Sequence, residues 1–107
     1  MRARKSPKSL KTWSQLRRER FKKSPDEAIG YLKASLEENG DRPEIVIEAI
    51  RAVSESLGLS IEQIAKKANK TPSTIHKALG KAGNPTLETL TAVLKAMGLK
   101  LSVEKAS

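Results

Sequence analysis

Apolar residues recur at helical spacing in successive blocks of this chain, each opening on a helix-start signal and closing on glycine or asparagine. Ala28, Ile29, Leu32 and Leu36 form the first clear block. Ser24 is placed to cap it, Pro25 suits its first turn, Glu27 completes a capping box, and Asn39-Gly40 ends it. Asp41-Arg42-Pro43-Glu44 repeats the cap, proline and glutamate before Val46, Ala49, Ile50, Val53 and Leu57, and Gly58 stops that helix. Ile45-Val46-Ile47 alone would suit a strand, but the cap before it and the period after it decide for helix. Thr86 opens a last helix carrying Leu87, Leu90, Val93, Leu94 and Met97 on one stripe, closed by Gly98.

Ser60 to Leu79, SIEQIAKKANKTPSTIHKAL, reads as two short helices joined by a tight turn. Ser60 and Gln63 form a capping box, and Ile61, Ile64, Ala65 and Ala68 share one face. Thr71 caps the second helix, Pro72 sits in its first turn, and Ile75, Ala78 and Leu79 point inward. Asn69 falls where the chain must reverse, and asparagine tolerates the left-handed conformation. The small Ala65 lets the two helices cross closely. Ser73, Thr74, His76 and Lys77 remain outward, with Thr71 and Pro72 at the tip, which is the polar and cationic chemistry that touches base edges and phosphates in a major groove. A polar-faced helix pair in any helical domain would look similar.

The two ends differ from this pattern. Leu10, Trp13, Leu16 and Phe21 are spaced like a helix face, predicting a weakly docked helix over Ser9 to Lys23, with Met1 to Ser9 disordered. After Gly98 the period changes: Leu99, Leu101 and Val103 alternate with Lys100, Ser102 and Glu104, as in a half-buried strand. No second strand is evident, so the segment either pairs with its copy in a homodimer or packs as an extended tail on its own domain.

Composition adds a partner class. The net charge of +9 is concentrated at the N-terminus, where residues 1–24 hold ten basic groups, including Arg2, Arg4 and Lys5, against Glu19 alone. The remainder is neutral, so a cationic arm of residues 1–23 precedes a domain of residues 24–107. Such an arm suits a polyanion, because neutralised phosphates release counterions; a solubilising tail or an organelle transit peptide would share its composition. The three aromatics, Trp13, Phe21 and Tyr31, are too few for single-strand binding by stacking. Without cysteine there are no disulfides or thiolate metal sites, and no apolar run approaches a membrane span. The single histidine belongs to no nucleophile–base–orienter set, so neither an enzyme nor a cofactor is expected.

From Ser24 to Val103 the chain resembles the Cro/CI-type helix-turn-helix proteins, and more narrowly the HigA-like addiction module antidotes. The residues that carry the resemblance are PDEAIGYLKASLEENGD, the paired helices and, most specifically, IHKALGKAGNPTLETLTAVLKAMGLKLSV. It implies an all-α, five-helix, lambda-repressor-like domain that binds double-stranded operator DNA, often as a homodimer. It also implies a neighbouring RelE/ParE-like toxin, autorepression of the shared operon and a cytoplasmic protein. Carried over by position, Thr71, Ser73, Thr74, His76 and Lys77 face the major groove, Ser60 and Ile61 approach a phosphate, and Lys81, Gly83 and Asn84 lie in a loop that does the same. Ile61, Asn69 and Lys70 depart from the usual polar, glycine and apolar residues at their positions. The arm lies outside the resemblance. Toxins of this kind are basic and would repel it, so Arg2, Arg4 and Lys5 are expected on DNA phosphates or in a minor groove. Two other functions remain open: toxin neutralisation with little DNA binding, and non-specific nucleic-acid binding through the arm.

Overall fold

A computed structural model describes residues 12–106, and among these the protein is all-α. Six helices follow one another: α1 (Trp13–Lys23), α2 (Pro25–Asn39), α3 (Pro43–Ser56), α4 (Ile61–Ala68), α5 (Pro72–Ala78) and α6 (Leu87–Ala96). The five helices expected after Ser24 are α2 to α6, and α1 makes a sixth. It starts at Trp13 rather than Ser9, because Thr12 and Gln15 form a reciprocal capping box: the Gln15 N–H donates to Thr12 Oγ1 at 3.1 Å, and the Thr12 N–H donates to Gln15 Oε1 at 2.9 Å. Arg2, Arg4, Lys5, Leu10 and the expected disordered start lie outside the described residues.

Prolines, more than side-chain caps, set the starts of α2 and α3. Ser24 joins α1 to α2 at φ −141°, and its hydroxyl makes no cap hydrogen bond, contrary to the expected box with Glu27. Arg42 rather than Asp41 is the N-cap of α3, and it too lacks a side-chain cap. Both precede a proline, whose ring holds the preceding residue in extended backbone and whose missing N–H removes one donor that a cap would satisfy. The helix ends follow the sequence more closely. Gly58 and Gly98 take φ +70° and +80°, and the N–H groups of Leu59 and Leu99 reach back to the carbonyls of Ser54 and Leu94 at 2.9 and 2.8 Å.

One core runs through all six helices. α1 packs on α2 and α3, while α4 packs on α5 and α6. Ile50 and Val53 from α3, Ile64 from α4, Ile75 from α5 and Val93 from α6 are its fully buried large side chains. Phe21 and Leu32 extend it under α1 and α2. Two stripe positions fall outside it: Leu87, at the edge of the α6 stripe in its first turn, is exposed, and Leu57 is at the rim of the core.

The strand expected after Gly98 is absent among the described residues. Leu99 packs against the core, but Leu101 and Val103 are progressively exposed, and no ladder partner lies alongside. The alternation is real, yet a strand needs a neighbour to hydrogen-bond, and the described residues offer none.

Candidate nucleic-acid interface

The helix pair α4–α5 is built on three capping arrangements. Ser60 Oγ accepts from the Gln63 N–H at 3.1 Å while Gln63 Oε1 accepts from the Ser60 N–H at 2.8 Å, closing the expected box at the start of α4. At its end Asn69 takes φ 57° and ψ 43°, the left-handed conformation, and the Lys70 N–H returns to the Ala65 carbonyl at 2.9 Å. Thr71 then opens α5, its Oγ1 accepting from the Thr74 N–H at 3.1 Å and lying 2.9 Å from Thr74 Oγ1. Ile64 and Ala65 of α4, Ile75 and Ala78 of α5 and Leu79 at its C-cap are buried, so apolar contacts hold the crossing. Lys70, in the turn after Asn69, is half-buried and donates to Glu88 Oε2 at 3.1 Å, tying the turn to the first turn of α6.

The opposite face of α5 is open. Thr71, Pro72, Ser73, Thr74, His76 and Lys77 are all exposed. Among the described residues, neither His76 nor Lys77 has a carboxylate partner, nor do Lys66 and Lys67 of α4 or Lys81 of the following loop. The loop returns under the end of α5: the Gly83 N–H donates to the Gly80 carbonyl at 2.9 Å, and a Cβ on Gly83 would run into the Ala78 carbonyl. Only glycine fits so close an approach. A shallow open concavity of about 490 Å³ results, with Lys77, His76 and Asn84 on its walls.

The expected site residues thus divide into groups. Ser73, His76 and Lys77 stand free on α5, Asn84 joins them through the concavity, and Lys81 is exposed in the same loop. Thr71, Thr74 and Ser60 are exposed, but their hydroxyls already serve caps, leaving them less free to read a ligand. Gln63 was legible only as a capping residue, although its Nε2 donor remains exposed beside Ser60. Lys66 and Lys67 also escaped sequence reasoning, because a helix-turn-helix pattern directs attention to the second helix.

The basic residues of α1 have a different setting. Arg17 lies 3.7 Å from Glu48, Arg18 3.3 Å from Glu55, and Arg20 3.6 Å from Glu27. The Arg17 guanidinium also sits 5.0 Å over the Tyr31 ring, which packs 5.5 Å from Phe21. The Tyr31 hydroxyl donates to Glu48 Oε1 at 3.3 Å. Burial pushes its pKa up, the neighbouring Glu48 charge and hydrogen bond add to that, and Arg17 opposes it. The weakly docked helix expected over Ser9 to Lys23 is thus present from Trp13 onward, held by paired carboxylates and one aromatic anchor. Trp13 and Leu16 take no part in that docking and are exposed.

A family described as "Probable addiction module antidote protein" matches residues 14–105. The chain belongs to this addiction module antidote family. A relative from Haemophilus influenzae, named an uncharacterized protein, is 32% identical over 83 residues, 78% of this chain and 81% of the relative. No solved structure matches. Membership of an antidote family implies a toxin partner and agrees with the expectation that the chain is not an enzyme. Among the described residues no group of histidine, cysteine, aspartate and glutamate could hold a metal, and no helix is long and apolar enough to cross a membrane.

Proposed function

We propose that this antidote is a sequence-specific DNA-binding repressor, cytoplasmic and dimeric, that autoregulates the operon it shares with a RelE/ParE-like toxin. The observation that carries the reading is the open face of α5, where Ser73, His76 and Lys77 stand exposed and unpaired on a helix fastened by Ile75. Side chains of this size and polarity reach base edges from the N-terminal half of a groove-borne helix. Lys81, Asn84 and the α4 start at Ser60 flank it as phosphate contacts, with Thr71 and Thr74 completing the lambda-repressor-like surface. Residues 24–107 form the DNA-binding domain, and Arg2, Arg4 and Lys5 in the arm of residues 1–23 add phosphate or minor-groove contacts.

Anisotropy titration against the duplex from the protein's own upstream region, beside a scrambled duplex, tests this over a salt series. The native duplex should bind at least ~10³-fold more tightly, with Lys77→Ala and Ser73→Ala weakening that preference. Equal binding that collapses with salt would leave only the arm on DNA and move the α4–α5 pair to a protein-binding role.

A further inference from the structure

The C-terminal segment has a shape its own domain does not use. Leu99 is packed on the core with its N–H bonded to Leu94, but from residue 100 to 106 no backbone group is hydrogen-bonded among the described residues. Leu101 is 36% exposed and Val103 97% exposed. The segment stays beside α2, where Lys33 lies 3.7 Å from Glu104. A backbone whose N–H and C=O groups are free among the described residues, with alternating side chains and exposed apolar residues, can pair as a sheet edge.

The side chains restrict which strand can pair with it. If two copies meet antiparallel across a two-fold axis at Ser102, Leu101 of each lies opposite Val103 of the other, and Lys100 lies opposite Glu104. Both apolar pairs then fall on one face and both opposite-charge pairs on the other. Moving the axis to Leu101 sets Lys100 against Ser102 and draws in Leu99, already packed and hydrogen-bonded in its own domain. Moving it to Val103 sets Leu101 against Lys105. Placing the axis between residues on either side of Ser102 sets both Leu101 and Val103 against polar side chains.

We infer that the partner of this edge is a second copy of the same chain, paired antiparallel about Ser102, with Lys100–Glu104 charge pairs setting the register. The inference rests on the dimeric reading above and adds its interface. Glu104 exchanges Lys33 of its own α2 for Lys100 of the other copy, or bridges the two. The resulting two-stranded ribbon is anchored at both ends by Leu99, which a free ribbon of this length would need to persist in water.

Sedimentation velocity and mild oxidation test the register, and the absence of cysteine makes the second readout clean. Ser102→Cys should yield a covalent dimer. A residue on the axis faces itself at about 4.5–5.5 Å between Cα atoms, within disulfide reach. Ala106→Cys, displaced from the axis, should not cross-link. Lys100→Glu should weaken association at least about tenfold by turning both charge pairs repulsive, and K100E/E104K should restore it to within about threefold of wild type. Lys33→Ala, which frees Glu104 from its own α2, should not weaken association, whereas weakening by as much as Lys100→Glu would overturn the exchange. A wild-type dimer in which Ser102→Cys stays uncross-linked and Lys100→Glu associates normally would overturn the register while leaving the dimer. A wild-type monomer at 100 µM would overturn both, and operator binding, measured separately, would show whether DNA reading survives.

Discussion

α1 and α5 are both short helices with few apolar residues and several basic or polar ones, and the fold uses them in opposite ways. α5 buries Ile75 and Ala78 against α4 and presents an unpaired polar face. α1 buries only Phe21 among its large apolar residues, leaves Trp13 and Leu16 exposed, and spends Arg17, Arg18 and Arg20 on carboxylates of α3 and α2. The helix with the greater charge is thus the one whose charges are more engaged. Net charge identifies cations in a sequence, but only the placement of Glu27, Glu48 and Glu55 decides which of them remain available to a partner.

The widest separation between the two helices should appear on truncating their anchors. Ile75→Ala should cost about 2–5 kcal/mol and lower the melting temperature of the whole domain, since Ile75 is fully buried where α5 meets the core. Phe21→Ala should instead release α1 alone. Hydrogen exchange would then show amides of residues 13–23 losing protection while α4 to α6 keep theirs. Global unfolding with Phe21→Ala would mean that α1 is part of the cooperative unit and that the contrast is wrong.

The capping boxes offer a matched pair at about 1 kcal/mol. Ser60→Ala and Thr12→Ala each remove the same type of hydroxyl cap. Ser60→Ala should shift chemical denaturation of the domain by about that amount. Thr12→Ala should only fray the start of α1, which circular dichroism would register without a matching change in the denaturation midpoint.

Salt should act on α1 before it acts on the rest. Its three ion pairs are solvent-exposed and worth about 0–1 kcal/mol each, so screening between 0.1 and 1 M NaCl loosens α1 without unfolding the domain. Trp13, the only tryptophan, reports this through a fall in fluorescence anisotropy. Unchanged anisotropy across that range would show that Phe21 alone suffices to hold the helix.

The smallest effect concerns Tyr31, under α1. Its pKa is raised above the ordinary tyrosine value of 10.0, so the folded protein binds the phenolic proton more tightly than the unfolded chain does. Stability should therefore fall as pH rises through 10 and upward past the folded-state value, while remaining flat for this group below that window. Tyrosinate absorbance from the single tyrosine should give a midpoint above 10 in the native protein and near 10 in denaturant.

Legibility followed the range of the interactions involved. Ser60, Asn69, Thr71 and Thr86 act on backbone groups a few residues away, so their roles could be read directly, and each is found as expected. Ser24 and Asp41 misled because the following prolines changed what the helix start required. Thr12 and Gln15 were a local signal within reach of the same reasoning, overlooked among the basic residues around them. Gly83 is glycine because of the Ala78 carbonyl, a contact between a loop and the preceding helix that no spacing in the sequence announces.

The sequence by itself determined the number and order of α2 to α6, the caps of α4 to α6, the left-handed turn at Asn69 and the polar face of α5. These follow from hydrogen bonds and periodicities that span one or two turns of helix. The tertiary structure alone decided that Phe21, and not Trp13 or Leu16, anchors α1, that Lys70 finds Glu88, and that Arg17, Arg18 and Arg20 find Glu48, Glu55 and Glu27. It also decided that the alternating segment after Gly98 has no strand beside it among the described residues. Each of these depends on which groups the folded chain brings within a few ångströms across a long sequence separation, and a one-dimensional pattern carries no distance between residues so far apart.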